Sequence, residues 1–250
     1  MESCKTAAPA DLVILAVKYG GMAAAIDELR GYVGKDTAIL SVMNGITSEK
    51  ELAARYGWSH VVDTVAQGMD AVKFGNTLQY TKQGELCIGA EREEQKAALE
   101  RADAFLTAAG ILHRVEEDIL HRIWGKFMLN VGVNQACMAC ETNYGGAVEP
   151  GSEANRLMLA AMGEVMELAG AEGVPLTEAD RSFYVNLIGT LSPEGMPSMR
   201  QDAISRRPSE VEMFAGTVLR LAEKHRISVP ANRYLYQRIR QMEAEYGDNS

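Results

Sequence analysis

Three polar side chains recur at intervals of four residues through the apolar stretch WGKFMLNVGVNQ, residues 124–135. They are Lys126, Asn130 and Asn134. In an α-helix of about 3.6 residues per turn each step advances by roughly 40°, so the three would lie within about 80° and rise by about 12 Å. An ammonium and two amides in one row can bind a carboxylate, a hydroxyl or a carbonyl oxygen. The spacing alone also fits the polar face of an ordinary amphipathic helix.

The residues around this row favour ligand binding. The positions between the polar residues are apolar and leave no wide solvated face: Phe127, Met128, Leu129, Val131 and Val133. Buried amides need hydrogen-bond partners, and a buried lysine needs a compensating group. Because a polar ligand in a cleft would supply both, we interpret the row as a set of ligand donors.

The cysteines and histidines show no arrangement typical of a metal centre. Cys137 and Cys140 form a lone CxxC pair, without a second pair or a nearby histidine to complete a zinc site. We expect this pair to be packed as reduced thiols inside a helix. The four histidines have no metal-ligand spacing. The sequence therefore predicts no metal site.

Size and charge exclude several classes of protein. The chain has 250 residues, 47% of them hydrophobic and 24% charged, which suits one large domain or two ordinary ones with a packed core. A net charge of −9 without a basic run argues against a nucleic-acid partner. No segment approaches the roughly 18 consecutive apolar residues that span a membrane. The start, MESCKTAAPADLV, has no signal-peptide pattern. We therefore expect a cytoplasmic protein that binds neither nucleic acid nor membrane.

The first 117 residues alternate between strand and helix patterns. Buried strands are indicated at DLVILAV (11–17), TAILSVM (37–43) and HVVDTVA (60–66), with a further strand at ILHRVEE (111–117). Helices are indicated over 22–34 with Gly34 as C-cap, over 48–56 with Ser48 as N-cap, and over 92–109. In KFGNTLQYTKQGELCIGA, turn signals at Gly75-Asn76 and Gln83-Gly84 separate β-prone runs. We expect these runs to form antiparallel strands. The spacing of strand, helix and strand predicts parallel βαβ units in a doubly wound sheet.

From residue 118 onwards the pattern is helical throughout. Apolar periodicity predicts helices at 118–141, 152–171, 177–190, 209–225 and 231–246, with breaks at YGG, EGVP, SPEGMPS and SVP. Ser152 and Thr177 each precede such a run, with an acidic residue close behind, and are predicted N-caps. The expected fold is α/β, with a parallel-sheet domain over 1–117 followed by an all-α domain over 118–250.

The sequence contains no glycine-rich phosphate loop. A doubly wound dinucleotide domain normally follows its first strand with G-x-G-x-x-G, whose glycines let the backbone approach the pyrophosphate. That pattern occurs nowhere in these 250 residues, and KYGGMAAA after the first strand has two adjacent glycines without the spacing. A dinucleotide site in this chain lacks its usual phosphate cradle.

Five segments, taken together, resemble the ketopantoate reductase (2-dehydropantoate 2-reductase) family and occur in family order. They are DLVILAVK, SVMNGI, GKFMLNVGVN, SMRQDAISRRPSEVEMFAG and RISVPANRYLYQRIRQMEAEY. The resemblance covers essentially the whole chain. It implies a dinucleotide domain followed by a helical domain, with the substrate between them. It also implies NADPH-dependent reduction of ketopantoate to pantoate, in pantothenate biosynthesis.

The resemblance also bears on the N-terminus. The chain starts where the family's fourth strand would begin, so we expect an N-terminally truncated Rossmann-type domain without the glycine-rich half. A dinucleotide without its helix-terminus anion site loses several backbone donors. These residues are therefore expected to bind NADPH weakly or not at all.

The resemblance implies roles for seven residues. Lys126 falls on the general acid, which protonates the carbonyl oxygen as hydride reaches the carbon. Asn130, Asn134 and Ser198 fall on substrate-binding residues, and Lys18, Asn44 and Glu210 on cofactor-binding residues. Local interpretations stay open for three of them: Lys18 as a surface lysine, Ser198 as a helix cap and Glu210 as a first-turn acid.

The expected function is reduction of a small 2-keto acid with NADP as the cofactor. One alternative is a family member that acts on a different 2-keto acid, because a carboxylate clamp does not identify the rest of the substrate. Another is a non-catalytic remnant that binds small acids or only dimerises. We expect a homodimer formed through the helical domain.

Overall fold

The computed structural model describes residues 8–70, 72–74 and 76–246. The N-terminal stretch 1–7 and Gly75 of the predicted Gly75-Asn76 turn lie outside the described residues. The chain divides into two compact units, residues 1–123 and 124–250. The domain limits predicted from the sequence, 1–117 and 118–250, stay predictions.

Seven strands are described in the first unit. In chain order they are β1 (Leu12–Leu15), β2 (Ala38–Ser41), β3 (Val61–Met69), β4 (Val72–Phe74), β5 (Thr77–Gln79), β6 (Gln83–Gly89) and β7 (His113–Val115). Five of these described strands form one sheet in the order β1-β2-β3-β6-β7, in which β1, β2 and β3 are parallel. The β6 strand is antiparallel to β3 and parallel to β7, and β4 pairs antiparallel with β5. The predicted parallel strands and the predicted antiparallel segment are both confirmed.

Helices cover both faces of this sheet. They are α1 (Met22–Glu28), α2 (Ser48–Tyr56) and α3 (Lys96–Ala108). Ile39 and Val61 pack in one buried cluster with residues of α1 and α2. Their chain neighbours Leu40 and Val62 pack in a second cluster with residues of α3. Successive strand side chains point to opposite faces, so a strand covered on both sides needs the continuous apolar sequence seen here.

Two predicted helix ends in the first unit are wrong. The α1 helix ends at Glu28 and a 3₁₀ turn (Leu29–Gly31) follows, so Gly34 is not its C-cap. A Cβ on Gly34 would lie 2.6 Å from the Cβ of Pro9, so close packing explains this glycine. Ser48 is the first residue of α2 rather than its N-cap. Its hydroxyl donates to Glu49 Oε2 at 2.9 Å instead of accepting from the helix backbone.

The predicted turn at Gln83-Gly84 is also wrong, because both residues begin β6. Gly84 has a φ of +77°, which explains why a glycine stands in a strand. A Cβ there would also lie 2.6 Å from the carbonyl oxygen of Gln67, on the partner strand. The turn signal was therefore a strand irregularity.

All of the regular secondary structure described in the second unit is helical. Its helices are α4 (Ile119–Ala139, which begins in the first unit), α5 (Tyr144–Val148), α6 (Glu153–Ala171), α7 (Glu178–Gly189), α8 (Ser198–Ile204), α9 (Thr217–His225) and α10 (Pro230–Ala244). The predicted N-caps are confirmed. Ser152 accepts from the amide of Asn155 at 3.0 Å, and Thr177 forms a capping box with Asp180. The predicted break at YGG is wrong, because α5 forms there, and α8 was not predicted.

A π-helical turn, Glu212–Gly216, replaces the start of the helix predicted over 209–225. The amide of Gly216 donates five residues back, to the carbonyl of Val211 at 3.0 Å. The amide of Ala215 donates instead to the side-chain Oε1 of Gln135 on α4, at 3.2 Å. Gln135 is fully buried, and it also donates to the Asn232 side chain of α10 at 3.2 Å. A buried amide network thus ties this turn to α4 and α10.

Within the described residues, no helix combines the length and the apolar character needed to cross a membrane.

Candidate active site

The polar row lies on α4 among buried apolar side chains. Phe127, Met128 and Val131 are at most 1% exposed, and Asn134 is 6% exposed. Lys126 and Asn130 are half-buried. The row is therefore not part of a broad solvated face, because its helical neighbours belong to the core of the second unit.

The structure brings three of the sequence-predicted residues together in one hydrogen-bonded chain. Ser198, the first residue of α8, donates through Oγ to Oδ1 of Asn134 at 3.3 Å. Asn134 in turn donates through Nδ2 to Oδ1 of Asn130, also at 3.3 Å. The amide of Met199 lies 3.5 Å from the same Asn134 oxygen. The start of α8 thereby meets the amide row on α4, although 64 residues separate the two in the chain.

One donor in this row has no partner among the described residues. The Nδ2 of Asn130 is buried and makes no hydrogen bond there. A buried donor left unsatisfied costs about 1–3 kcal/mol. Asn130 stands one helical turn from Lys126 and one from Asn134, so an acceptor that satisfied it would lie within the polar row.

Glu210 lies in the same unit, at the start of the segment that leads into the π-helical turn. Its side chain is largely buried, at 9% exposure. Its carbonyl accepts from the amides of Met213 at 3.0 Å and Phe214 at 3.1 Å, so the residue stands at the N-terminus of that turn. A first-turn acid and a ligand-contacting acid are both compatible with this position.

Lys18 and Asn44 lie in the first unit at matching positions. Leu15 and Ser41 are register partners at the carboxyl ends of β1 and β2. Lys18 follows Leu15 by three residues and is exposed, and Asn44 follows Ser41 by three residues and is half-buried. Both lie beyond the carboxyl ends of adjacent parallel strands, where ligands bind in open α/β sheets.

Sequence reasoning missed a pair of buried acids close to this edge. Burial raises the pKa of Glu49, in the first turn of α2, to about 7, and a nearby Asp63 raises it further. Burial also raises the pKa of Asp63 on β3 to about 6, although a hydrogen bond from Gln95 opposes the rise. An acid inside the apolar run VVDTVA was a signal for Asp63, whereas Glu49 resembles any first-turn acid.

The cysteine pair is packed, as predicted. Cys137 is fully buried, and Cys140 is partly buried; both are free thiols. Burial raises the pKa of Cys137 to about 12, so it stays a neutral thiol. Among the described residues, no group of three or more His, Cys, Asp or Glu side chains is arranged to hold a metal ion.

A mostly parallel, Rossmann-type sheet in the first unit and only helices in the described secondary structure of the second define an α/β protein with an added helical unit. Two family models match the chain, Ketopantoate reductase PanE/ApbA over residues 1–93 and Ketopantoate reductase PanE/ApbA C terminal over residues 118–243. The 2-dehydropantoate 2-reductase of Halobacterium salinarum is 31% identical over 238 residues, which cover 93% of this chain and 76% of that protein. The chain belongs to the ketopantoate reductase family.

Solved structures share the fold. A ternary structure of D-mandelate dehydrogenase with NADH and anilino(oxo)acetate aligns with a TM-score of 0.86 at 18% identity, covering 98% of this chain and 80% of that one. A dimeric ketopantoate reductase from Staphylococcus aureus aligns with a TM-score of 0.80 at 23% identity, covering 95% of this chain and 79% of that one. At these identities the likeness establishes the fold.

Proposed function

We propose that the chain is a 2-dehydropantoate 2-reductase that reduces ketopantoate to pantoate with NADPH. The observation that carries the proposal is the unsatisfied Nδ2 of Asn130 in a row with Lys126 and Asn134. A keto acid offers an oxygen acceptor for this unsatisfied amide donor. Membership of the ketopantoate reductase family supports ketopantoate as the particular keto acid.

In the proposed reaction, Lys126 acts on the carbonyl oxygen. NADPH, when bound, would supply the hydride for the carbonyl carbon. As the carbon–oxygen double bond gives up its electron pair to oxygen, the ammonium stabilises the developing charge and transfers its proton there. The neutral amine then regains a proton from water. Asn130, Asn134 and Ser198 hold the carboxylate and the hydroxyl, so that the carbonyl stays beside the lysine.

The first unit fits the nicotinamide end of the cofactor better than its phosphates. Lys18 and Asn44 lie beyond the carboxyl ends of β1 and β2, where a dinucleotide would reach the sheet. Glu210 is proposed as a third cofactor-binding residue. The sequence supplies no glycine-rich loop for the pyrophosphate. We therefore propose a weak cofactor affinity for these residues, with NADPH as the preferred dinucleotide.

Steady-state assays would test this function. With NADPH at millimolar concentration, we expect ketopantoate to give the highest kcat/KM among ketopantoate, pyruvate and phenylglyoxylate. A preference for another keto acid would replace ketopantoate by that substrate. If the keto acids bind but none is reduced with NADPH or NADH, the chain is a binding protein rather than an enzyme.

Replacing Asn134 by alanine is expected to raise the KM for ketopantoate roughly 10- to 100-fold, while kcat changes by only a few fold. The amide holds substrate and transition state alike, so its loss weakens both equally. Steady-state kinetics measure the split. Asn186→Ala, at an exposed position of α7, is the matched control and should leave both constants unchanged. Lost stability with an unchanged KM would show that Asn134 only packs the core.

We infer that the protein forms a homodimer through its helical unit, as the Staphylococcus aureus relative named dimeric supports. The α7 helix exposes Phe183 by 55% and Leu187 by 41%, one turn apart on the same face. Such a stripe is a candidate self-association surface. In sedimentation velocity we expect Leu187→Glu to give monomers and Asn186→Glu, on the adjacent face, to leave the dimer intact. A dimer that survives Leu187→Glu would exclude this face as the dimer interface.

A cytoplasmic location of the protein stays a prediction.

A further inference from the structure

A cavity of about 280 Å³ opens in the second unit, away from the polar row on α4. Its polar lining comprises three arginines, two glutamates and a tyrosine: Arg200, Arg206, Arg238, Glu141, Glu245 and Tyr246. None of the residues assigned to substrate or cofactor lines it. Glu141 lies beyond the C-terminal end of α4, seven residues after Asn134, which corresponds to about 10 Å of helix.

Arg200 is fixed by contacts with Glu141, and one of its N–H donors has no hydrogen-bond partner among the described residues. Its guanidinium lies 3.6 Å from the carboxylate of Glu141 and 3.4 Å from the carbonyl oxygen of the same residue. The Nε of Arg200 is buried and has no hydrogen-bond partner among the described residues. The hydroxyl of Tyr246 is also buried, and it too has no hydrogen-bond partner among the described residues. Two oriented donors of the lining therefore lack an acceptor.

Unlike Arg200, the other two arginines of the lining have no side-chain partner within the described residues. No hydrogen bond or ion pair there engages the guanidinium of Arg206 or of Arg238, although Arg238 is half-buried. Their neighbours differ. Arg207 pairs with Asp202 at 3.0 Å, and Arg240 pairs with Glu243 at 3.1 Å. The guanidinium groups of Arg206 and Arg238 are therefore available at the cavity, whereas those of Arg207 and Arg240 are engaged.

The formal charges of the lining favour an anion. Three guanidinium groups face two carboxylates, and Glu141 is already engaged by Arg200. Glu245, which is exposed, is the carboxylate left to balance Arg206 and Arg238. Guanidinium groups bind phosphate through paired N–H donors, and their charge persists at any physiological pH.

We propose that this cavity is a binding site for a small organic phosphate, separate from the keto acid site. The phosphate would accept from Arg206 and Arg238 and would bring oxygen acceptors to the orphan donors of Arg200 and Tyr246. The cavity lies at the lower limit of the roughly 300–1,000 Å³ typical of ligand sites, which favours a phosphate monoester over a dinucleotide.

Isothermal titration calorimetry on the full chain, at fixed ionic strength and without NADPH or keto acid, tests the site. The probes are glycerol 3-phosphate and inorganic phosphate. We expect glycerol 3-phosphate to bind, and Arg206→Gln and Arg238→Gln each to weaken its binding at least about 10-fold. Arg233→Gln removes the same charge from an exposed position of α10 outside the cavity and should leave the affinity unchanged.

The affinities for the two phosphates identify the kind of ligand that the cavity binds. Tighter binding of glycerol 3-phosphate than of inorganic phosphate would support an organic phosphate as the ligand. Equal affinities would assign the site to free phosphate and contradict the proposal of an organic ligand. No heat above the ionic-strength control, or the same loss in Arg233→Gln as in Arg238→Gln, would reduce the site to unspecific charge attraction. Because the titration needs no turnover, failure of the proposed reductase activity would leave its result unaffected.

Discussion

Alanine in place of Lys126 is expected to lower kcat for ketopantoate by roughly 10²- to 10⁴-fold, the range for loss of a general acid or base. The ammonium matters most as the alkoxide develops, so KM should change far less than kcat. The side chain stands on α4 among core residues, one turn from the unsatisfied Asn130 amide. The measurement is NADPH oxidation at saturating keto acid, normalised to folded protein.

Two further variants separate proton transfer from packing. Lys126→Arg keeps the charge but should stay nearly inactive, because a guanidinium does not give up its proton in proteins. Lys96→Ala, at the exposed first residue of α3, where the lysine pairs with Glu93 in the preceding turn, should have normal kcat. Unchanged turnover per folded molecule in Lys126→Ala, together with a lower melting temperature, would refute the catalytic assignment.

The first unit is expected to be less stable at pH 8 than at pH 5, by roughly 2–3 kcal/mol from Glu49 alone. The folded pKa of Glu49 is about 7, raised from 4.5, chiefly by burial. Between those two values the folded state holds a proton that the unfolded state has released. The resulting stability is complete below the unfolded pKa and is lost as the pH rises through the folded pKa. Asp63 acts in the same direction, with a folded pKa of about 6.

Glu49→Gln should remove most of this dependence and stabilise the unit at pH 8, because the amide mimics the protonated acid and can still accept from Ser48. Hydrogen exchange of β2 and β3 amides at the two pH values, corrected for intrinsic rates, reports this unit separately. Glu51→Gln, at an exposed acid of the same helix, is the control and should retain the wild-type pH dependence. A pH profile of Glu49→Gln parallel to that of the wild type would show that Glu49 does not hold the proton.

Sequence patterns predicted those elements whose signals are local. TAILSVM is apolar at every position but two because β2 is covered on both faces, and Thr177 begins α7 through its own capping box. The α5 helix escaped prediction because its glycines are normally breakers. Gly146 is instead required for packing, since a Cβ there would lie 2.1 Å from Oγ1 of Thr142.

For the candidate site, too, sequence patterns predicted only the local arrangement. Periodicity alone placed Lys126, Asn130 and Asn134 on one side of a helix. The contact between Asn134 and Ser198 joins residues 64 positions apart, and only the family resemblance anticipated Ser198 as a site residue. Gln135 carried no signal at all, because its role depends on the amide of Ala215 in a distant segment.

The π-helical turn sets the position of Glu210 around the helix axis of α9. A π-turn contains one residue more than an α-turn, so the chain before it is rotated by about 100° relative to an unbroken helix. The position of Glu210 around the helix axis therefore differs from the position it would have in an unbroken α-helix. The side chain of Gln135 stabilises this arrangement, because its Oε1 accepts from the amide of Ala215. Loss of a single residue between 212 and 216 would restore an ordinary helix and aim the carboxylate elsewhere, with every amino acid of the site still present.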